Sequence, residues 1–328
     1  MKVAINGLGR IGRAVFKAVL EHKTFELAAV NDLAPPENLA YLLNYDTAYG
    51  RYPRRVEAGQ DALQVGGRRY PVLNIKQPAD LPWGDMGVEL VFECTGIFTH
   101  REDLEKHLQA GASRVILSAP AKSPEILTVV PGTSPGGRKE TIVSCASCTT
   151  NCITPVVEVM NRRLGVRKAG MTTIHAYTST QSIVDGPAKK FRRGRAAAAN
   201  LVPTSTGAAV ATAKVLPEME GLFNGVAVRA PVPVGSLADM TFLVKRATEK
   251  EAVNTFFREE AASERYHDVL GVSEDPIVSS DVIRDPRASV VDASMTQVID
   301  GDLVKVMSWY DNEWGYAQQM IREALAAG

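Results

Sequence analysis

The chain is short of cysteine: four in 328 residues, three of them inside the nine-residue stretch SCASCTTNC, Ser144 to Cys152. Thiols this few and this bunched do not build the disulfide framework of a secreted domain. Charge of one sign is missing too. Basic and acidic side chains number 37 each, so no global field favours nucleic acid or an anionic membrane. No apolar run approaches the roughly 20 residues that a membrane helix needs. The opening MKVAINGLGR has no signal-peptide core before its glycines. These absences lead to the expectation of a cytoplasmic protein with no nucleic-acid or membrane partner. What remains is an ordinary globular composition, 45% hydrophobic and 23% charged, on a chain long enough for two domains.

The first half alternates short apolar runs with helix-like segments. KVAIN is followed by Gly7, Gly9 and Gly12 in the pattern G-x-G-x-x-G, then by RAVFKAVLEH with Val15, Phe16, Val19 and Leu20 at helical spacing. Between a strand and a helix these glycines have distinct tasks: a tight turn, close backbone approach to a pyrophosphate, and close helix–strand packing. The helix N-terminus then offers N–H groups to phosphate. ELAAVND reads as a second strand ending at Asp32, twenty residues after Gly12. An acid there suits the adenosine ribose hydroxyls and repels a 2′-phosphate, so NAD is expected over NADP. VELVFECTG, RVILSAP and TIVSCA continue the strands, and REDLEKHLQAGA forms a helix with Leu104, His107 and Leu108 on one side. DALQVGGRRYPVL reads as a hairpin around Gly66-Gly67. Ligand groups are expected at the strand ends, near Gly7, Asp32, Thr95, Gly96 and Ser118.

Cys148 falls where a strand (TIVSCA) meets a helix (TTNCITPVVEVMNRRLG). A helix N-terminus stabilises a thiolate and is expected to lower its pKa. A Cys145–Cys148 redox pair and a zinc cage are less favoured. Three extended residues span about 10 Å, beyond the roughly 7 Å reach of a disulfide, and a cage lacks a fourth ligand; no metal is expected. Cys152, one helical turn on, reads as a packed small residue. His175, 27 residues past Cys148 and followed by Tyr177, Thr178, Ser179 and Thr180, is the best available base for it. The strands and helices beyond it, such as NGVAVRAPVP, LADMTFLVKRA and KEAVNTFFREEAAS, suggest an α+β domain with a mostly antiparallel sheet.

INGLGRIGR, YDTAYGR, ASCTTNC, MTTIHAYTSTQ, DGPAKK, GRAAAANLVPTSTGAA and WYDNEWGY run nearly end to end. In them the chain closely resembles the phosphorylating glyceraldehyde-3-phosphate dehydrogenases. The resemblance implies a Rossmann-type, doubly wound parallel-sheet NAD domain over 1–147, rejoined by a terminal helix over 313–328, and an α+β catalytic domain over 148–312. It implies that Cys148 attacks the aldehyde, that His175 takes the proton, and that inorganic phosphate resolves a thioester. Thr178, Thr180 and Arg229 resemble the pocket for the substrate's phosphate, and Ser147, Thr149, Thr206 and Gly207 the pocket for the attacking phosphate. Arg195 is expected near both, while Arg192 and Arg193 read as solvated. Gly7, Gly9, Arg10, Ile11, Gly12, Asp32, Thr95, Gly96 and Ser118 would hold NAD, with Asn312 orienting its nicotinamide. A homotetramer is implied. The match frays at Cys145, at PGTSPGG (131–137), at Val234-Gly235, and in the FRRGR loop, one residue short. Erythrose 4-phosphate is the alternative substrate, and an NAD-binding thiol sensor the alternative role.

Overall fold

The structure, a computed structural model, describes residues 1–133 and 139–327; Ser134 to Gly137 of the PGTSPGG stretch lie outside them. The chain divides into two compact units. One holds residues 1–129, 139–146 and the chain from Ala317 on; the other holds residues 130–133 and 147–316.

The first unit is built on a nine-stranded sheet. Its order is Leu127–Thr128, Ile142–Ser144, Arg114–Leu117, Leu90–Glu93, Lys2–Asn6, Glu26–Asn31, Arg68–Leu73, Ala62–Val65 and Val56–Gly59. The first seven are parallel and the last two antiparallel. The parallel strands carry Val3, Ile5, Val30, Val91, Phe92, Val115 and Ile116, all fully buried, as a sheet covered on both faces requires. The expected hairpin is present: Gly66 and Gly67 both take positive φ, 56° and 77°, which a tight two-residue turn demands and only glycine adopts freely. The first strand leads into the helix Arg10–Glu21. Its neighbours in the sheet are the second strand on one side and Leu90–Glu93 on the other. The strand order therefore reverses at Lys2–Asn6, and the crevice beyond its carboxyl end is where such sheets bind ligands.

The second unit carries an eight-stranded, mostly antiparallel sheet. Its main path is Val202–Ser205, Phe223–Ala230, Val166–Ala176, Ser236–Val244, Leu303–Tyr310, Ser289–Asp292 and Leu270–Ser273. Ser236–Val244 alternates strictly between buried and half-buried residues, the period of two that leaves one face packed. On that face Met240, Phe242, Val304 and Val306 share a core with Ile153, Val156, Val157 and Met160 of the helix Cys148–Leu164. Burial of each such side chain stabilises by about 1.5–3 kcal/mol. Among the described residues no helix is long and apolar enough to cross a membrane. The expected fold class, a doubly wound parallel-sheet domain with an α+β partner, is what the two units display.

Candidate active site

In the first unit the glycine turn has the form a dinucleotide needs. Gly7 takes φ 91°, and a Cβ there would lie 2.9 Å from the backbone of Thr95. A Cβ on Gly12 would lie 1.8 Å from the carbonyl oxygen of Gly7. Around Gly9 and Gly96, by contrast, nothing lies within 4 Å of the Cβ position. The turn is closed toward the protein and open toward a ligand, a cradle that any side chain would begin to fill. Gly9 precedes the helix Arg10–Glu21 and brings no side-chain cap, and a helix N-terminus is a place that suits an anion. Ile11 is half-buried in that first turn. The carboxylate of Asp32, just past the second strand, accepts from the Leu8 and Ala34 N–H groups at 2.7 and 2.9 Å and is thereby aimed from the strand end. Leu33 beside it is exposed and brings no cation. Arg10 is committed elsewhere, to Asp46 through two bonds, and lies over the Tyr49 ring. Ser118 follows the strand Arg114–Leu117 and donates its N–H to Glu93 O at 3.0 Å. These residues fit an NAD molecule.

In the second unit Cys148 opens the helix Cys148–Leu164, and Ser147 caps it, its Oγ accepting from Thr150 N at 3.2 Å. His175 is the penultimate residue of the strand Val166–Ala176. Its Nε2 lies 3.4 Å from Cys148 Sγ, so the two residues paired from sequence do meet. Arg229, directly opposite His175 on the neighbouring strand, places Nη1 2.6 Å from His175 Nδ1 and 2.8 Å from Ala176 O. Nδ1 is also 2.6 Å from that carbonyl. A guanidinium can only donate, and a carbonyl has two lone pairs. Ala176 O therefore accepts from Arg229, and Nδ1 stands within 2.6 Å of both that carbonyl and the guanidinium; in the tautomer with Nδ1–H on the carbonyl, Nε2 faces the thiol unprotonated.

The electrostatics correct one expectation. The helix start was expected to lower the thiol; instead, burial pushes Cys148 up. The nearby Arg229 cation, the Thr149 hydroxyl and the Thr149 and Cys148 N–H groups pull it down without prevailing. Desolvation of the charged form outweighs one cation and the hydrogen bonds that favour it. Burial, then the Arg229 charge, drive His175 down to about 3. Both shifts run toward the uncharged forms of thiol and imidazole. Cys152 is fully buried against Ser289 and Ser308, and burial pushes it up to about 12, the packed role expected of it. All four cysteines are free thiols.

A second correction concerns the arginines. Arg195 does not join the site: its Nε bonds Asp185 at 2.9 Å and the side chain is well exposed. Arg193, expected to be solvated, donates to Thr180 Oγ1 and to Thr204 Oγ1, both at 3.1 Å, and its charge is felt at both His175 and Arg229. The short 3-10 turn Phe191–Gly194 points these two arginines in different directions. Thr178 Oγ1 lies 3.0 Å from Thr180 Oγ1, so Thr178, Thr180 and Arg193 form one cluster. Thr149 turns its hydroxyl to Tyr310 at 2.9 Å, and Tyr310 reaches on to Thr173 at 2.8 Å. The nucleophile's helix and the histidine's strand are thereby tied through one buried phenol. Thr206 and Gly207 lead into the helix Ala208–Val215, and Thr206 Oγ1 accepts from Ala208 N at 3.2 Å. Asn312 Oδ1 accepts from Gly235 N and Ser236 Oγ, at 3.2 and 2.9 Å, and Ser236 Oγ accepts from Ala176 N at 3.1 Å. The amide is therefore fixed by the turn in which the match frays.

Comparison with known proteins agrees with this geometry. Residues 1–101 match the family model described as glyceraldehyde 3-phosphate dehydrogenase, NAD binding domain, and residues 147–312 match the one for its C-terminal domain. Glyceraldehyde-3-phosphate dehydrogenase 2 of Streptomyces avermitilis is 46% identical over 332 residues, covering 100% of this chain and 98% of its own. A Streptomyces coelicolor glyceraldehyde-3-phosphate dehydrogenase is equally similar over the same shares. Glyceraldehyde-3-phosphate dehydrogenase 1 of Bacillus cereus is 46% identical over 98% of the chain and 96% of its own length. The chain belongs to the glyceraldehyde-3-phosphate dehydrogenase family, oxidoreductases that act on an aldehyde group with NAD.

Proposed function

We propose that this enzyme oxidises glyceraldehyde 3-phosphate and traps the product as an acyl phosphate, 1,3-bisphosphoglycerate. The observation that carries the reading is the approach of Cys148 Sγ to His175 Nε2, 3.4 Å apart, with Arg229 beside the imidazole. Cys148 Sγ adds to the aldehyde carbon as its proton passes to His175 Nε2, and His175 hands that proton to the carbonyl oxygen, which becomes the hydroxyl of a thiohemiacetal. The N–H groups of Cys148 and Thr149, already turned on the sulfur, stabilise charge on that oxygen. NAD, when bound, supplies the acceptor for the hydride leaving the substrate carbon. His175 removes the hydroxyl proton as the C–S centre becomes a thioester. Inorganic phosphate then attacks the thioester carbon, the C–S bond breaks, and Cys148 is regenerated.

The neutral imidazole suits a base that must accept twice. Thr178, Thr180, Arg193 and Arg229 serve the substrate's own phosphate, a site of paired cations and hydroxyls. The Ser147–Thr149 backbone with Thr206 and Gly207 serves the attacking phosphate, and Asn312 the nicotinamide amide. The catalytic domain in this reading runs from Cys148 to Asn312, after an NAD domain of residues 1–147. Phe191, Val184, Leu201, Val210 and Val226 are large apolar side chains left exposed in the second unit, Phe191 at 89%. They support self-association of the chain, read as a homotetramer in the cytoplasm.

NADH absorbance tests the reading, with glyceraldehyde 3-phosphate and NAD, with and without inorganic phosphate. Phosphate-dependent turnover is expected, falling by at least about a thousandfold in Cys148→Ser while NAD binding persists. Turnover with erythrose 4-phosphate alone would replace the substrate, and NAD binding without turnover on either aldehyde would favour the thiol-sensor role.

A further inference from the structure

Three neighbouring parallel strands of the first unit, KVAIN, ELAAVN and LVFE, end on polar residues, and there a polar row crosses the sheet. Asn6, Asn31 and Glu93 are direct partners in the strand register and all are buried, Glu93 completely. Asn31 Nδ2 donates to Asn6 Oδ1 at 2.7 Å, and Asn6 Nδ2 donates to Glu93 Oε2 at 2.6 Å. Behind the row stand two more fully buried groups, His107 of the helix Arg101–Gln109 and Trp83. Trp83 Nε1 lies 3.0 Å from His107 Nδ1, and His107 Nε2 lies 3.1 Å from Glu93 Oε2. An indole nitrogen only donates. Nδ1 must therefore accept, the ring proton sits on Nε2, and it is donated to Glu93. Trp83 fixes the histidine tautomer, and the histidine orients the carboxylate.

The other oxygen faces the ligand side. Glu93 Oε1 accepts from Thr95 N at 2.8 Å and from Thr95 Oγ1. Thr95 Oγ1 in turn accepts from Ile97 N at 3.1 Å, across the Gly96 turn. Thr95 is also the residue on which Gly7 rests without room for a Cβ. Gly7 N donates to Asn31 O at 2.8 Å, and the Asn31 side chain exchanges bonds with the backbone of Ile75 at 2.9 and 3.0 Å. One row thus ties down the turns that follow Lys2–Asn6, Leu90–Glu93 and Arg68–Leu73, around the point where the strand order reverses. Apolar side chains of like volume would fill this space with less desolvation cost. They could not aim four N–H and O–H donors at one carboxylate.

We propose that Glu93 is a positioning residue for NAD. Its carboxylate, oriented by His107 and Trp83, holds the Thr95–Gly96 and Gly7 turns at the separation the dinucleotide requires. The inference rests on the nucleotide role of these turns.

The test is calorimetric titration with NAD of the full-length wild type, Glu93→Gln and Trp83→Phe. Melting curves, peptide-level hydrogen exchange over residues 5–12 and 93–99, and the rate of Cys148 alkylation accompany it. In Glu93→Gln the new amide meets two donors, from Asn6 and His107. Its Kd and KM for NAD are expected to rise by about tenfold or more, the scale for a lost bond to a charged group, with kcat at saturating NAD and Cys148 alkylation little changed. Trp83→Phe keeps the aromatic volume but frees the His107 tautomer. It is expected to weaken NAD by about threefold and to speed exchange over 93–99, as loss of one neutral bond does. A lowered melting temperature with Kd unchanged in Glu93→Gln would reduce the row to a core brace and overturn the proposal. Should that variant not fold, unchanged Kd and exchange in Trp83→Phe would overturn it equally. Wild type that does not bind NAD would instead overturn the nucleotide role of the turns.

Discussion

The nucleotide turns and the thiol site solve the same problem, presenting groups to a ligand, with opposite materials. The turns use backbone: Gly7, Gly9, Gly12, Thr95 and Gly96 matter through their N–H groups, their positive φ, or the absence of a side chain. The thiol site uses side chains from four separate elements: Cys148 from a helix start, His175 and Arg229 from neighbouring strands, Arg193 from a 3-10 turn. Backbone geometry is dictated locally, so the first region tolerates little change within a few residues. Side-chain convergence depends on packing between distant elements, so the second is sensitive to braces such as Tyr310.

Gly12→Ala presses hardest on that contrast. A methyl 1.8 Å from Gly7 O must displace the turn, so NAD titration is expected to detect no binding. Melting should show about 1–3 kcal/mol lost to overpacking. The rate of Cys148 alkylation should stay at the wild-type value, and a parallel loss of thiol reactivity would break the separation between the two regions.

The arginine pair comes next. Arg193→Ala removes a cation bonded to Thr180 and Thr204, and KM for the phosphorylated aldehyde should rise by about ten- to a hundredfold, as for bonds to charged groups. Arg195→Ala breaks only an exposed ion pair with Asp185 and should stay within about twofold. The reverse ranking in steady-state kinetics would return the site to Arg195.

Arg229→Gln has the subtlest expected effect, on protons. The Arg229 charge holds Cys148 below where burial alone would put it, so the pH profile of alkylation should move to higher pH in the variant. The same charge helps depress His175 from 6.5 to about 3. A histidine neutral when folded binds fewer protons than when unfolded. Its contribution to stability is therefore complete above 6.5 and is lost as pH falls from 6.5 toward 3. The variant should show a shallower fall of melting temperature with acid over that range. An unchanged slope would mean that Arg229 does not act on the imidazole.

Much of this was legible in the residues themselves. G-x-G-x-x-G between an apolar run and a helical pattern, then Asp32 at the right remove, are local features, and local sterics enforce them. Cys148 at a strand–helix junction and His175 at a strand end were legible too. Arg193 was not. With arginines at 192, 193 and 195, no periodicity says which one a 3-10 turn points toward Thr180. The Trp83–His107–Glu93 chain was half visible. Glu93 closes the apolar run LVFE, and a carboxylate at the end of a strand buried throughout calls for a partner. The partner lies on a helix whose His107 was placed on the apolar side by spacing alone.

The sequence by itself determined the strand–helix alternation, the glycine turn and the junction that carries the thiol. Those depend on backbone sterics and on hydrophobic period, which act over a few residues. Only the tertiary structure decided which arginine reaches Thr180, which partner the Thr149 hydroxyl finds, and that burial pushes the thiol up. Those outcomes depend on which side chains meet across long separations and how much water is left between them. Burial of Cys148 and His175 beside Arg229 is a property of packing, and no run of neighbouring residues encodes it.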